Sequence, residues 1–405
     1  MDVLGGSKSI AGASVNEQTA MRSTAVLSCV RVISETLASL PLNIYKSTKG
    51  SKDKVDNVIY ELLHNAPNPY TTSFNFREVM QSNLLLYGNA YAEIDYDSNG
   101  NIVALWHIPA WRVQVYKARD GDLVYKITLE DGTEKTLQSY RVLHIAGLSY
   151  NGLMGFSPIQ VARESIGLAL ATEEFGSRFF GQGTNVGGVV EHPSALGEKA
   201  YKNLKESLNE TYAGLGNSHR LLLLEEGMKY SRSGIPPNDA QFIESRKFQI
   251  EEIARIFRVP LHMIGHLEHA TFSNIEHQSI EFVVHTIRPY LVRWEQAIKM
   301  KLFKATKYYA EFNVEGLLRG DVKSRYDAYA VGRQWGWLSV NDIREKENMA
   351  KLPTDVGDKY LTPLNMTILG EPKGSFLNAK NTDEGGDDSD DGNGDTSLQN
   401  SRDGT

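Results

Sequence analysis

Apolar residues recur along this chain with helical and strand periods in well-separated stretches. The first helix is predicted where apolar residues fall every three or four positions: Val26, Val30, Ile33, Leu37 and Leu40. Pro41 ends this helix, and "PLNIYK" then alternates as a strand does. "FNFREVMQSNLLLYG" predicts a helix that ends at Gly88. Hairpins are predicted around Asn99-Gly100 and Asp131-Gly132, because tight turns favour such residues, and "RVLHIAG" predicts a further strand.

Longer helices dominate the middle of the chain. Ser157 is a suitable N-cap and Pro158 a suitable first residue for a helix that runs to about Phe180. Residues 184–236 predict a compact α/β insert, in which strands surround an amphipathic helix. The next helix, "AQFIESRKFQIEEIARIF", stops before Pro260.

The last third begins with a helix that contains a proline. Ser273 and Glu276 have capping-box spacing, which predicts a helix start near Asn274. Pro289 lies inside this helix and predicts a kink, because proline removes a backbone hydrogen bond. "YYAEFNVEGLL" predicts a strand, and two helices follow. Beyond about Gly370 the chain is rich in Gly, Asp, Ser and Asn and almost without large apolar groups, and it is predicted to be disordered. The pattern as a whole indicates an α+β protein.

Charge is distributed unevenly along the 405 residues. The net charge is −7, and the stretch from Glu371 to the end holds nine acidic and three basic residues. The part of the chain before it is therefore nearly neutral. Tight binding to nucleic acid requires a basic excess that neutralises phosphates. This composition therefore excludes a protein that binds DNA tightly through phosphate contacts.

Composition also bears on location and catalysis. There is no apolar run of eighteen residues and no signal-peptide pattern at the N-terminus, so neither a membrane span nor secretion is expected. The lone Cys29 fits a reducing cytosol and a buried site. Neither a P-loop nor a G-x-S-x-G elbow occurs. We therefore expect no enzyme and no cofactor.

One stretch, "HMIGHLEHATFSNIEH", concentrates histidines. His262, His266 and His269 have a spacing that could hold zinc, and Glu268 and Glu276 could complete the site. Gly265 argues against the regular helix that would bring the three rings to one face. A polar exposed loop is the favoured interpretation, and a metal-dependent hydrolase is kept as the alternative.

Seven stretches in a fixed order carry a family resemblance: "SLPLNIYK", "LLLYGNAYAEI", "GFSPIQVARESIGLALATEEFGSRFFGQG", "IARIFRVPLHMIG", "ATFSNIEHQSIEFVVHTIRPYLVRWEQAI", "FNVEGLLRGD" and "GWLSVNDIRE". With them the chain resembles the portal proteins of tailed double-stranded DNA bacteriophages, of the siphophage type. The resemblance covers most of residues 25 to 350. A different ring-forming head–tail adaptor is the other alternative, although adaptors are typically much shorter.

The resemblance implies an elongated portal protomer that joins copies of itself into a ring, usually a dodecamer. Such a ring occupies one capsid vertex of the virion, after assembly in the host cytoplasm. Double-stranded DNA passes through it without sequence specificity during packaging and ejection. The implied protein partners are the major capsid protein, the terminase large subunit and a head–tail adaptor, with no membrane involved.

The same resemblance divides the chain into parts. They are a flexible arm (1–18), a β-rich wing (19–157), two stem helices (158–183 and 237–260), a clip (184–236), a tunnel loop (261–274), a kinked helix with the rest of the wing (275–320), a helical crown (321–370) and a disordered acidic tail (371–405).

Particular residues are assigned to these parts by the resemblance. The loop that lines the DNA channel comprises His266, Leu267, Glu268, His269, Ala270, Thr271, Phe272 and Ser273. The helix kink is assigned to Pro289. The stem residues are Arg163, Glu164, Glu173, Glu174, Arg246 and Lys247. Because histidine titrates near neutrality, the charge of such a loop would vary with pH.

Overall fold

The computed structural model describes residues 7–48, 51–119, 121–181, 188–193, 197–199, 201–203, 228–232, 239–266, 272–304, 306–318, 322–347 and 349–361. The chain divides into two compact units, residues 1–320 and 321–405. This boundary coincides with the start predicted for the crown. Most of the predicted insert at 184–236 lies outside the described residues.

The described helices of the first unit are α1 (Glu17–Ala20), α2 (Thr24–Ser39), α3 (Val58–Tyr60), α4 (Ser73–Tyr87), α5 (Pro158–Val161), α6 (Arg163–Gly181), α7 (Asp239–Phe257), α8 (Phe272–Glu281), α9 (Arg288–Leu302) and α10 (Glu315–Leu318). Two segments are π-helical, Glu61–Asn65 and Phe282–Ile287. Short 3-10 turns occupy Ala110–Arg112, Ser139–Arg141 and Leu261–Ile264.

The described strands form small antiparallel sheets. They are β1 (Ser7–Lys8), β2 (Ser14–Val15), β3 (Leu42–Thr48), β4 (Ser51–Lys54), β5 (Asn89–Tyr96), β6 (Ile102–Ile108), β7 (Val113–Lys117), β8 (Leu123–Thr128), β9 (Glu134–Gln138), β10 (Val142–Ala146), β11 (Gly188–Glu191), β12 (Lys229–Arg232) and β13 (Tyr308–Phe312). The strand orders are β1-β2, β10-β5-β6, β13-β3-β4, β7-β8-β9 and β11-β12. The α+β class is thereby confirmed.

The main core forms where α2 and α4 pack together and against the neighbouring sheets. All five apolar positions that predicted α2 are buried. From α9, Trp294 is fully buried and donates its indole N–H to Gln81 Oε1 of α4, at 3.0 Å. Cys29 is buried as predicted, and burial raises the pKa of its thiol to about 12. The two hairpin turns and the strand β10 also agree with the prediction.

Three glycine backbones meet where α4 ends. Gly88 has a φ of +74° and closes the helix, as predicted, in the left-handed conformation that glycine adopts readily. A Cβ on Gly88 would lie 2.2 Å from the carbonyl oxygen of Phe156, and one on Gly155 would lie 2.0 Å from that of Gly88. The amide of Gly147 donates to the Gly88 carbonyl at 2.8 Å. We call these three residues the glycine junction; it admits no side chain at Gly88 or Gly155.

Part of the predicted N-terminal arm is packed instead of loose, which corrects the prediction for residues 7–18. There β1 and β2 form a hairpin, Val15 is fully buried, and the amide of Ile10 donates to Glu164 of α6 at 2.8 Å. A Cβ on Gly167 would come within 2.4 Å of Ser9. The local sequence is small and polar, so packing against the distant α6 decides its structure.

Two further predictions need correction. The helix predicted from Pro158 to Phe180 is interrupted at Ala162, where φ is −93° and ψ is 18°, and no single contact explains the break. The strand predicted through "YYAEFNVEGLL" ends at Phe312 and gives way to α10. It ends there because its partner β3 begins at Leu42, the residue opposite Phe312.

The second unit contains, in its described part, helices α11 (Val322–Gln334), α12 (Val340–Lys346) and α13 (Thr354–Gly357). Ser339 and Asp342 form a capping box at the start of α12, with hydrogen bonds of 2.7 and 3.1 Å. The predicted pair of helices in this region is thus observed. Asn341 is buried and binds the carbonyl of Leu352 and the carboxylate of Asp358.

Candidate functional site

The candidate site begins where α7 ends. Arg258 has a φ of +55°, which is rare for a residue other than glycine. The amide of Val259 donates to the carbonyl of Ala254 at 3.0 Å, which closes the last turn. Pro260 then prevents the helix from continuing, as predicted.

A tight 3-10 turn, Leu261–Ile264, leads into the histidine-rich stretch. Gly265 follows it with a φ of +84°, and a Cβ there would meet nothing within 4 Å. His262 Nδ1 lies 2.9 Å from Gln278 Oε1 of α8, so this ring is paired with the following helix. In the described ranges, no three His, Cys, Asp or Glu residues come together as a metal site would require.

The predicted tunnel loop is only partly within the described residues. Within the loop, His266 is described. The next five residues lie outside the described residues: Leu267, Glu268, His269, Ala270 and Thr271. Phe272 and Ser273 are the first residues of α8, so the helix begins earlier than the predicted start near Asn274. These two residues therefore belong to a helix, which corrects their assignment to a loop.

Pro289 lies just after a π-helical turn. Residues Phe282–Ile287 form this turn between α8 and α9, and Pro289 is near the start of α9. A proline has no N–H to offer the carbonyl four residues earlier, that of His285. Arg258 Nη1 donates to this carbonyl at 3.3 Å, and Thr286 Oγ1 donates to the carbonyl of Arg258 at 2.6 Å. The helix is thus irregular where the kink is predicted; the bend itself stays a prediction.

The predicted stem residues lie on α6 and α7, which pack against each other. Glu173 and Arg246 face the same open cleft. Other residues lining this cleft include Ala169, Thr172, Gln249 and Ile253. Burial raises the pKa of Glu173, while the charge of Arg246 acts in the opposite direction.

The remaining stem residues are not part of this cleft. Arg163 pairs with Glu164 at 3.2 Å. The pKa of Glu164 is lowered, first by the hydrogen bond from the Ile10 amide. Glu174 pairs with Arg178 one turn along α6, and Lys247 lies on α7. These residues are therefore spread along the helices and do not form one site.

A buried polar network beside the glycine junction was not anticipated. His144 Nε2 donates to Asn89 Oδ1 at 3.1 Å, and its Nδ1 accepts from the Tyr125 hydroxyl at 3.2 Å. Burial lowers the pKa of His144 to about 4, and the charge of Lys301 acts in the same direction. The only hint in the sequence is a histidine inside the apolar run "RVLHIAG".

No helix in the described part of the chain combines the length and apolarity that a bilayer span requires. A family model described as phage portal protein matches residues 24–348. The chain belongs to the phage portal protein family. The resemblance inferred from the seven stretches is thereby confirmed.

Two relatives of this family member match over most of their length. It is 35% identical over 383 residues to a probable portal protein of Streptomyces phage phiC31, covering 90% of this chain and 83% of that protein. It is 34% identical over 370 residues to the portal protein of Enterobacteria phage HK97, covering 89% and 87%. Both matches include the candidate site and the sheets around it.

Solved structures share the fold. A crystal structure of an HK97 family phage portal protein from Corynebacterium diphtheriae matches with a TM-score of 0.58 at 17% identity, covering 76% of this chain and 97% of the other. The neck of a native gene transfer agent (GTA) particle, computed with C12 symmetry, matches with a TM-score of 0.59 at 22% identity, covering 82% and 93%. At these identities the likeness shows the fold alone.

Proposed function

We propose that this protein forms the ring at one capsid vertex through which double-stranded DNA enters and leaves the virion. The observation that carries the proposal is the family match across residues 24–348, together with two portal relatives at about 35% identity. The chain covers more than four-fifths of each of those relatives, which supports the same role for the whole chain.

A closed homo-oligomeric ring, a dodecamer, is the assembly we infer. The GTA neck with the same fold is described with C12 symmetry, which supports twelve copies. A ring requires a head-to-tail interface that closes by rotation. Large apolar side chains that are exposed on the described α6 and α7, such as Leu168, Phe175 and Phe248, are available for such an interface.

We assign the channel lining to the stretch from His266 to Ser273, whose last two residues begin α8. The stretch follows Gly265, which has a left-handed φ. Apart from the acidic tail the chain is nearly neutral. Strong phosphate contacts would hold DNA in place, so a neutral conduit suits DNA that must move in both directions.

The remaining assignments follow from that role. The protein would act without catalysis, and ATP hydrolysis would belong to a separate terminase large subunit docked on the clip. The major capsid protein and a head–tail adaptor would contact the ring in the virion. The wing, stem, clip and crown keep the boundaries given above, with 7–18 reassigned from a loose arm to a packed segment that holds the β1–β2 hairpin and the start of α1.

The first test is assembly. Purified protein at micromolar concentration, imaged by negative stain and weighed by native mass spectrometry, is expected to give rings with a central hole and a mass of about twelve protomers. A sharp monomer under all salt conditions would refute the ring.

The second test separates a channel loop from a metal site. We expect the double variant His266→Ala/His269→Ala to form normal rings but to package or retain DNA differently in a phage complementation assay. His277→Ala, an exposed histidine on α8, serves as the matched control. Normal packaging across a range of pH would contradict the assignment. Rings lost in the variant, and lost from the wild type on chelation but restored by zinc, would support the metal alternative, since metal binding and folding are coupled.

A further inference from the structure

The segment 147–156, which joins β10 to α5, is held firmly at its base. Its two ends are two members of the glycine junction, Gly147 and Gly155, within a few ångströms of Gly88. The buried side chain of Asn89 donates to the carbonyl of Gly155 at 2.6 Å and accepts from its amide at 2.9 Å. Arg293 of α9 donates to the carbonyl of Gly147 at 2.9 Å. The base is therefore fixed by backbone groups and by the side chains of Asn89 and Arg293, from three elements.

The tip of this segment is also ordered by its own polar groups. Asn151 Oδ1 accepts from the amides of Leu153 and Met154 at 2.9 and 3.0 Å. Ser149 Oγ accepts from the amide of Gly152, whose φ is +72°. A segment held in this way loses little conformational entropy on binding, which is the general advantage of preorganisation.

This ordered tip displays apolar side chains. Tyr150 is 99% exposed although its ring lies 5.1 Å from that of Phe156, between centroids. Leu148 is 65% exposed and Leu153 is 43% exposed. We call these three displayed residues the Tyr150 tip. Ordinary surface loops present polar groups to water, so a rigid apolar tip indicates a contact surface.

The two helices that follow carry further exposed apolar side chains. Val161 of α5 and Leu168 and Phe175 of α6 are spaced by seven residues and are 69%, 46% and 50% exposed. The buried residues Ile166 and Ala169 of α6 lie on a different side of the helix, because at 100° per residue they are about 160° and about 100° around the axis from Leu168. We call the exposed set the outer stripe. A helix that is apolar on two sides requires a second packing partner.

We propose that the Tyr150 tip and the outer stripe form the surface with which one copy contacts the next in the ring. The proposal rests on the proposed function, since it presumes a ring. It goes further by naming the residues that join neighbouring copies.

The chemistry of the surface favours a second copy over other occupants. No Asp, Glu, Lys or Arg occurs between Arg141 and Arg163, so the tip offers no cationic side chain to DNA phosphates. A seven-residue apolar spacing is typical of helix-to-helix packing, and the chain itself supplies another helix with exposed apolar groups, α7 with Ile243 and Phe248. Head-to-tail contacts need two such different surfaces on one protomer.

The size of the tip is sufficient to matter. A tyrosine buries on the order of 150–250 Å², against roughly 800 Å² lost by each partner in a standard interface. Tyr150 alone would therefore supply a fifth to nearly a third of that area. Truncating such an aromatic anchor typically weakens binding by about 30-fold or more.

The first experiment compares Tyr150→Ala with the control Tyr70→Ala, which removes an equally large side chain that is 85% exposed on another segment. Ring formation is followed by mass photometry over a dilution series. We expect rings of Tyr150→Ala to dissociate at a concentration at least tenfold higher than wild type, while Tyr70→Ala matches wild type. Measured as dissociated protomers, both variants should melt at the wild-type temperature, because neither side chain is buried within one copy.

The second experiment identifies the occupant. Tyr150→Cys places an accessible thiol in a chain whose only other cysteine is buried. Labelled with benzophenone maleimide and irradiated, assembled rings should yield covalent products at multiples of the protomer mass. Rings that dissociate as wild type in Tyr150→Ala, or intact rings that give no such products, would overturn the proposal while leaving the ring itself standing. A wild-type protein that forms no rings would overturn both.

Discussion

The glycine junction allows the clearest quantitative prediction. In Gly88→Ala the new Cβ would lie 2.2 Å from the Phe156 carbonyl oxygen, so the backbone at residues 155–156 must shift. The substitution also forces alanine to a φ of +74°, at about 1–2 kcal/mol. The shift would disturb the Gly147 amide bond to Gly88 and the two bonds between Asn89 and Gly155. At about 0.5–1.5 kcal/mol each, and after the smaller entropy of the unfolded alanine chain, we expect a total loss of about 3–5 kcal/mol.

The matched control is Gly100→Ala. Gly100 also has a left-handed φ, +83°, but a Cβ there meets nothing within 4 Å. It should therefore lose only the conformational term, about 1 kcal/mol. Urea unfolding followed by circular dichroism gives both free energies, provided the transition stays reversible. Equal losses in the two variants would refute the reasoning, because the close backbone approach would then have no energetic consequence.

Three other predictions concern single contacts. Trp294→Phe should lower the free energy of unfolding by about 2–4 kcal/mol, because Gln81 Oε1 loses its buried donor. Adding Gln81→Met should recover part of this loss, and no recovery would contradict the role of this hydrogen bond. Burial lowers the pKa of His144 from 6.5 to about 4, so the unfolded chain binds a proton at higher pH than the folded one, and the free energy of unfolding should fall by roughly 3 kcal/mol as the pH drops from about 6.5 to about 4. In urea titrations, His144→Gln should reduce this pH dependence. An unchanged dependence would show that the burial of His144 does not cause it. Pro289→Ala supplies an N–H near the carbonyl of His285, so we expect stability to rise by up to about 1 kcal/mol, and a decrease in the urea midpoint would contradict this.

Elements set by local patterns were predicted well. The helix α2 follows from five apolar positions that are all buried, and both hairpins follow from turns that require glycine. The end of α4 at Gly88 was also expected, because glycine readily takes the left-handed conformation there. In each case the deciding interactions lie within a few residues of one another.

Elements set by distant contacts were missed. The hairpin of residues 7–18 depends on Glu164 and on the space beside Gly167, more than 150 residues away. The glycine junction joins Gly88 to Gly155, and nothing in either local sequence distinguishes these glycines from ordinary turn residues. In the candidate site, the irregular helix at Pro289 was expected from proline chemistry. The hydrogen bond from Arg258 to the His285 carbonyl was not expected, since the two residues come together only in the folded chain.

The π-helical turn at Phe282–Ile287 has a consequence for how the chain can be altered. A π turn holds one residue more than an α turn, and each residue of a helix turns the chain by about 100°. Deleting one residue from this turn would restore α-helical spacing between α8 and α9, with Pro289 still lacking an N–H. It would also rotate α8 by about 100° around the axis, together with the chain attached at Phe272, while α9 and β13 kept their places. The number of residues in this turn therefore sets the direction in which α8 presents its side chains. The turn begins ten residues after Phe272, the start of α8.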